Sequence, residues 1–224
     1  MPFIDDLPFD GVPEPTRPAL YGDHFVKALR VAAIAHGGQR RKGSDPESRP
    51  IPFISHPLGV CSIAQGYGAD EEEAIAALLH DVLEDVTPTD AAISTVRWFG
   101  DRVYRIVEEC TDGMPGPDGH KKPTAARRAA YLPRLATADR SALLVSASDK
   151  LHNARSIVAD LRVVGDKVWE RFNLGKEDQL AWYDGLVRAY WANPAHHAEL
   201  VDELARVVQE MRGLAEATEP AAAR

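Results

Sequence analysis

A histidine and three carboxylates lie close together in the segment Ala76–Asp85. His80 is followed directly by Asp81, and Glu84 is followed directly by Asp85. On a single helix, residues four apart share a face, so these two pairs would stack one turn apart. An imidazole nitrogen and carboxylate oxygens suit a divalent metal ion that activates a water molecule. The segment therefore predicts a metal-dependent hydrolytic site, and the alternative is an amphipathic surface helix with a solvated acidic face.

A fourth carboxylate, Asp149, follows the strongly apolar run Leu143–Ala147. An unpaired carboxylate is costly to bury, so Asp149 needs a cation, which could be Lys150, an arginine or a metal ion. Asn153 and Ser156 follow on nearly the same helical face. A structural salt bridge is the alternative to a role in a functional site.

Two histidines in apolar or helix-end positions, His36 and His56, could complete such a site, and spacing alone does not choose between them. Between them lies Gln39–Lys42, the densest positive charge in the chain. Arginine and lysine side chains bind phosphate oxygens, although a basic loop can also be simply solvated. A phosphate clamp beside a metal ligand would indicate metal-assisted hydrolysis of a phosphoester.

Apolar spacing, glycines and prolines predict helices joined by loops, and no segment shows the alternation of a strand. The expected fold class is therefore all-α. Residues 1–20 are rich in proline and are predicted to form an extended arm, residues 21–214 one helical domain, and residues 215–224 a frayed tail. The expected helices cover residues 21–36, 56–66, 71–86, 89–99, 101–110, 124–138, 141–164, 178–191 and 195–214.

Composition narrows the class of protein. The chain has 224 residues, 45% of them hydrophobic and 27% charged, which is ordinary for a globular protein. A net charge of −8 argues against a general electrostatic grip on nucleic acid. We find no signal peptide and no apolar run long enough for a membrane span. Cys61 and Cys110 stand in apolar patterns and are expected to be buried thiols, which favours a cytoplasmic protein. The oligomeric state does not follow from the sequence.

Four segments in this order resemble the motifs of the HD-domain guanosine tetraphosphate (ppGpp) hydrolases. They are Gln39–Lys42, Pro52–Pro57, Ala77–Asp85 and Asp149–Asn153. The resemblance covers about residues 21–212. The chain resembles both the hydrolase half of RelA/SpoT-type enzymes and the stand-alone small alarmone hydrolases, and the stand-alone form is the closer match. It implies a single HD-domain helical bundle that cuts ppGpp at the 3′ position and releases pyrophosphate.

The resemblance also implies a role for individual residues. A manganese ion would be held by His56, His80, Asp81 and Asp149. Water would be handled by the catalytic residues Glu84 and Asp85. Substrate would be bound by Arg41, Lys42, Phe53, Asn153 and Ser156. His36 would then pack beside the metal ligands or support them.

Two departures from the family pattern lie near the expected substrate mouth. Phe53 stands where the family commonly has tyrosine, so a hydrogen bond from that hydroxyl is absent, and the loop 43–52 is longer than usual. Substrate identity is therefore open to an alternative, namely another HD-domain phosphohydrolase such as a phosphatase acting on NADPH. A second alternative is a non-enzymatic nucleotide-binding or scaffold protein, but the intact water-handling pair Glu84 and Asp85 argues against it, because a binder need not keep that pair. A third alternative is a metal ion that serves only stability.

Overall fold

The protein is described by a computed structural model that covers residues 20–42, 50–116 and 118–217. In these segments the chain forms ten α-helices, a 3-10 helix at Gly165–Arg171 and no β-strand, apart from an isolated bridge between Arg40 and Pro52. The all-α prediction is confirmed. The helices are α1 (Asp23–Ala35), α2 (Ser55–Gly66), α3 (Glu71–Leu79), α4 (Val82–Asp85), α5 (Thr89–Arg97), α6 (Asp101–Cys110), α7 (Thr124–Leu135), α8 (Arg140–Val164), α9 (Gly175–Ala192) and α10 (Ala198–Ala217).

Helices α3 and α8 form the centre of the bundle. All residues from Glu73 to Leu79 in α3, and all from Ser141 to Asp149 in α8, are buried. The two helices pack against each other, and both also contact α2 and α6. Because a helix that is apolar all round has to be covered on every side, these two segments must occupy the interior. Any polar side chain at the end of either buried segment therefore lies in the interior of the fold.

The start of α3 is fixed by hydrogen bonds at its N-terminus. The Asp70 side chain accepts a hydrogen bond from the Glu73 backbone N–H at 2.9 Å, and the Glu73 side chain accepts one from the Asp70 N–H at 2.9 Å. This reciprocal pair satisfies two backbone donors that an uncapped helix leaves without partners. Arg102 on α6 donates to both carboxylates and to Ser141 on α8, which joins three helices at this end.

The helix expected to run through residues 71–86 is interrupted at the candidate site, and this prediction is wrong. Helix α3 ends at Leu79, His80 and Asp81 form a turn, and α4 begins at Val82. His80 Nδ1 lies 2.8 Å from the Ala77 carbonyl oxygen, the acceptor that the Asp81 N–H would use in a continuous helix. A side chain that takes a backbone acceptor in this way competes with the helix. The single continuous helix on which His80 was expected to stack over Glu84 is therefore absent.

Smaller differences occur at the helix ends. Helix α2 begins at Ser55, one residue before the expected start at residue 56. Helix α10 continues to Ala217, where the sequence indicated an end at Leu214. The 3-10 helix was not expected. It starts at Gly165, whose φ of +58° is a conformation that glycine adopts without steric cost.

Three expectations fall wholly or largely outside the described residues. They concern the arm (residues 1–19), part of the long loop (43–49) and the tail beyond residue 217. Among the helices that the structure does describe, none combines the length and the apolar character needed to cross a bilayer.

Candidate metal centre and active-site cavity

Four side chains from three parts of the chain meet at one point. His56 comes from α2, His80 and Asp81 from the turn after α3, and Asp149 from the middle of α8. His56 Nε2 lies 3.1 Å from Asp149 Oδ1, 3.5 Å from Asp81 Oδ2 and 3.2 Å from His80 Nε2. His80 Nε2 lies 3.2 Å from Asp81 Oδ2 and 3.8 Å from Asp149 Oδ1. Both histidines are buried, with 2–3% of each exposed.

These separations fit one shared metal ion. Ligand atoms bonded at about 2.1 Å to one ion lie roughly 3–3.5 Å from each other. The contact of His80 Nδ1 with the Ala77 carbonyl agrees with this, because the carbonyl can only accept, so in the neutral ring the hydrogen is on Nδ1 and the lone pair is on Nε2. Donation of the second ring N–H to a carbonyl is typical of metal-binding histidine. Two nitrogens and two carboxylate oxygens therefore form a donor set for a divalent metal, and ligand atoms of His56, His80 and Asp81 all lie within 4.8 Å of one another.

The charges at this point favour a cation. Burial by itself raises the pKa of Asp81 and Asp149, but His80 and His56 hold the pKa of the Asp81 carboxyl group below its usual range, and the Lys150 ammonium together with the same histidines does so for Asp149. Burial by itself lowers the pKa of His80, yet the two carboxylates raise it to about 9. The group thus attracts positive charge, as a proton or as a metal ion.

Asp149 is oriented by neighbours on its own helix. Its Oδ2 accepts from Lys150 Nζ at 2.6 Å, and its Oδ1 accepts from Asn153 Nδ2 at 2.5 Å. The Lys150 contact is one of the cationic partners that the sequence indicated. Because Oδ1 also faces His56, one oxygen of Asp149 points to the shared site while the other is held by lysine.

Glu84 and Asp85 lie on α4, beside the loop that joins α6 to α7. Lys121 Nζ lies 2.8 Å from Glu84 Oε2 and 3.4 Å from Asp85 Oδ1, and the Asp112 backbone N–H donates to Glu84 Oε1 at 2.9 Å. Burial and the nearby Asp112 carboxylate raise the pKa of Glu84 to about 7 against the opposing effect of Lys121. Burial also raises the pKa of Asp85. A carboxyl group with a pKa near neutrality is suited to proton transfer.

The basic segment reaches the same site from the other side. Arg41 Nη2 donates to Asn153 Oδ1 at 3.0 Å and lies 3.4 Å from Ser156 Oγ. The Arg41 guanidinium lies 6.0 Å from the centre of the Phe53 ring. Lys42 is exposed at the mouth. The five side chains predicted to bind substrate therefore line a single cavity of about 880 Å³ together with the four candidate metal ligands, Glu84 and Asp85.

His36, the second histidine that spacing left open, does not join the four-residue group. It is buried, its Nδ1 lies 2.8 Å from Gln39 Oε1, and its ring lies 4.9 Å from that of Phe53. His36 therefore packs behind the cavity wall.

Several residues at the site were missed in the sequence. Lys121 contacts both acidic residues of α4, and Arg127 binds the Asp112 side chain and the Lys122 carbonyl. His152, inside the Asp149–Asn153 motif, lies with its Nδ1 2.9 Å from His56 Nδ1, and burial together with the nearby histidines lowers its pKa to about 4. The only signal for Lys121 was its place in a glycine- and proline-rich loop, which does not indicate a partner.

The fold and its motifs match a known family and its members. A family model described as an HD domain matches residues 28–172. The chain is 38% identical over 135 residues to a Xenopus tropicalis protein named guanosine-3′,5′-bis(diphosphate) 3′-pyrophosphohydrolase MESH1, a match that covers 59% of this chain and 69% of that protein. It is 30% identical over 197 residues to the GTP pyrophosphokinase rsh of Brucella suis, covering 84% of this chain but 25% of that protein. The chain thus corresponds to about a quarter of the longer relative.

Two solved structures are also similar. One is described as a metazoan ortholog of SpoT that hydrolyses ppGpp; it is 28% identical, has a TM-score of 0.66 and covers 89% of this chain and 99% of its own. The other, lmo0812 from Listeria monocytogenes EGD-e, is 30% identical, with a TM-score of 0.56 and coverage of 70% and 94%. The resemblance seen in the sequence is confirmed. Because the HD model matches more than half of the chain, and the bundle superposes on such proteins, the chain belongs to the HD-domain family.

Proposed function

We propose that this protein is a metal-dependent phosphohydrolase that cleaves guanosine 3′,5′-bis(diphosphate) at its 3′ position and releases pyrophosphate. The observation that carries the proposal is that His56, His80, Asp81 and Asp149 converge in one cavity. The same cavity is lined by an acidic pair, Glu84 and Asp85, and by a basic clamp, Arg41 and Lys42. The names of the Xenopus relative and of the metazoan structure support the choice of substrate.

The metal site in this proposal consists of His56, His80, Asp81 and Asp149, and we propose Mn²⁺ as its ion. Two imidazole nitrogens and two carboxylates suit a mid-row divalent metal, although such a set does not select manganese by affinity alone. When bound, the ion supplies Lewis-acid polarisation of a phosphate and lowers the pKa of water.

Glu84 and Asp85 are the proposed catalytic residues. Glu84 is held on both oxygens, by the Asp112 N–H and by Lys121, so its carboxylate has a fixed direction in the cavity. A water molecule loses a proton when it attacks phosphorus, and a carboxylate with a pKa of about 7 accepts that proton near neutral pH. The bond between phosphorus and the ribose 3′ oxygen breaks, and that oxygen takes up a proton.

Substrate binding is assigned to Arg41, Lys42, Phe53, Asn153 and Ser156. The Arg41 guanidinium is already held by Asn153 on α8, so its planar donors are directed before a phosphate arrives. With Lys42 it offsets the negative charge that develops on the diphosphate. Phe53 provides an apolar face at the mouth but no hydroxyl.

The test is a release assay on a panel of nucleotides. The purified protein is incubated with Mn²⁺ and ppGpp or NADPH, and pyrophosphate and inorganic phosphate are measured separately. We expect pyrophosphate from ppGpp and little phosphate from NADPH. Release of phosphate from NADPH, without release of pyrophosphate from ppGpp, would mean that the substrate is NADPH and that the same site acts on it. Absence of both products, with bound metal, would favour a nucleotide-binding scaffold.

We also propose that the protein is located in the cytoplasm. Cys61 and Cys110 are both buried and unpaired, which agrees with a reducing compartment such as the cytoplasm. The proposed partner is the small nucleotide substrate, with no role for nucleic acid or membrane.

A further inference from the structure

The ring of His152, on α8, lies directly beside the ring of His56, on α2. Their Nδ1 atoms are 2.9 Å apart, and their ring centroids are 4.8 Å apart. Two imidazole nitrogens at this distance form a hydrogen bond only if one carries the hydrogen and the other offers a lone pair. The contact therefore links the hydrogen positions of the two rings.

The direction of this hydrogen bond follows from the second ring nitrogen of His56. Its Nε2 points at Asp149 Oδ1 and at His80 Nε2, 3.1 and 3.2 Å away. To bind a metal ion through Nε2, His56 must carry its hydrogen on Nδ1. That N–H then donates to Nδ1 of His152, which has to be the acceptor.

A glycine on α2 makes the contact possible. Gly59 follows His56 by nearly one turn, and a Cβ at Gly59 would lie 2.3 Å from both Cδ2 and Nε2 of His152. Glycine within a helix is less favourable than alanine, so its presence here requires a reason, and close approach of another side chain is one. Gly66, at the end of the same helix, has no atom within 4 Å of its Cβ position.

We propose that His152 is a positioning residue that holds His56 in the tautomer and orientation needed to bind the metal, and that Gly59 provides the space for its ring. This inference rests on the proposed function, because it takes His56 to be a metal ligand. Groups that hold a metal-binding histidine through its second nitrogen typically change metal affinity by about 10- to 100-fold when they are removed.

The first test compares His152→Phe with His152→Asn. Phenylalanine keeps a ring but offers no acceptor, whereas the Asn Oδ1 accepts a hydrogen bond from nearly the position of Nδ1. Affinity is measured by electron paramagnetic resonance of free Mn²⁺ during titration, and ligand geometry by the visible absorption of bound Co²⁺. We expect His152→Phe to raise the Kd for Mn²⁺ by about 10- to 100-fold and to alter the Co²⁺ spectrum, with His152→Asn recovering much of the affinity.

The second test uses the glycines. Gly59→Ala should weaken Mn²⁺ binding in the same direction, because the new methyl group displaces the His152 ring. Gly66→Ala, on the same helix but facing open space, is the matched control and should leave the Kd unchanged. In a double-mutant cycle, Gly59→Ala should add little to the effect of His152→Phe, since both remove the same contact. If one variant does not fold, as judged by circular dichroism, the remaining variants still test the proposed role of His152.

The outcomes separate this inference from the proposed function. If the wild-type protein binds no Mn²⁺, the metal site itself is wrong. If it binds Mn²⁺ and His152→Phe binds it equally well with the same Co²⁺ spectrum, only the role of His152 is overturned. A raised KM for ppGpp with an unchanged Kd for Mn²⁺ would make His152 a substrate contact instead.

Discussion

The Lys121 ammonium group lies 2.8 Å from Glu84 Oε2, although the two residues are 37 positions apart in the chain. Lys121 belongs to the loop between α6 and α7, while Glu84 lies on the short helix α4. The second carboxylate oxygen of Glu84 accepts from the Asp112 N–H at the start of the same loop. The loop thus holds the proposed catalytic carboxylate at both oxygens, and its charged side chains shift the pKa of that carboxyl group.

The pH dependence of turnover should show this contact. A general base acts only when ionised, so kcat/KM should rise with pH through about 7, the pKa of Glu84, and level off above it. The positive charge of Lys121 lowers this pKa, so Lys121→Met should move the rise to higher pH. Lys122→Met is the control, because the Lys122 side chain is exposed and should leave the profile in place. Identical profiles for the two variants would remove Lys121 from this role.

Replacement of the acid by its amide separates water handling from metal binding. Glu84→Gln keeps the size of the side chain but cannot accept a proton, so kcat should fall by about 100- to 10,000-fold. Mn²⁺ binding should persist, because Glu84 is not among the proposed ligands. Asp81→Ala should lose both turnover and metal. Undiminished turnover in Glu84→Gln would show that another group takes the proton.

Arg41 should act mainly on substrate binding. Arg41→Lys keeps the charge but loses the planar fork that binds phosphate and contacts Asn153, so KM for ppGpp should rise about tenfold or more. Steady-state kinetics measure this, with Arg188→Lys as control, since Arg188 is exposed and does not line the cavity. Equal KM values for the two variants would place the phosphate elsewhere.

The helical architecture could be predicted because its signals are local. Glycines and prolines marked most helix ends, and the apolar runs of α3 and α8 marked the centre of the bundle. The turn at His80 and Asp81 was missed, since its cause is a side-chain bond to the Ala77 carbonyl that the apolar pattern does not show. Spacing is uninterrupted there, so the pattern favoured one continuous helix.

The candidate site required tertiary information at two points. The residues themselves left His36 and His56 as equal candidates, and the resemblance selected His56, which the structure brings to His80 and Asp81. Neither the pattern nor the resemblance indicated Lys121, because its contact with Glu84 depends on how the loop after α6 folds back over α4. Long-range ion pairs of this kind have no signature in spacing.

Metal removal should affect stability as well as activity. When a chelator removes the metal ion, the Asp81 and Asp149 carboxylates both lie beside the same two buried histidines, with no ion to offset their negative charges. An ion that binds only the folded state adds stability. At a Mn²⁺ concentration of about 100 times its Kd, the free energy of unfolding should rise by about 2.7 kcal/mol. Thermal melting of chelated protein before and after Mn²⁺ addition measures this, alongside pyrophosphate release from ppGpp.

The Asp81→Ala variant is the control for this experiment. Its melting temperature should not depend on Mn²⁺, because one of the four ligands is gone. A metal-dependent rise in melting temperature without any recovery of turnover would indicate a metal used for stability alone. Turnover that survives chelation would mean that the acidic pair and the basic clamp act without the metal ion. The hydrolysis mechanism would then have to be assigned to Glu84, Asp85 and Lys121, without the proposed metal ligands.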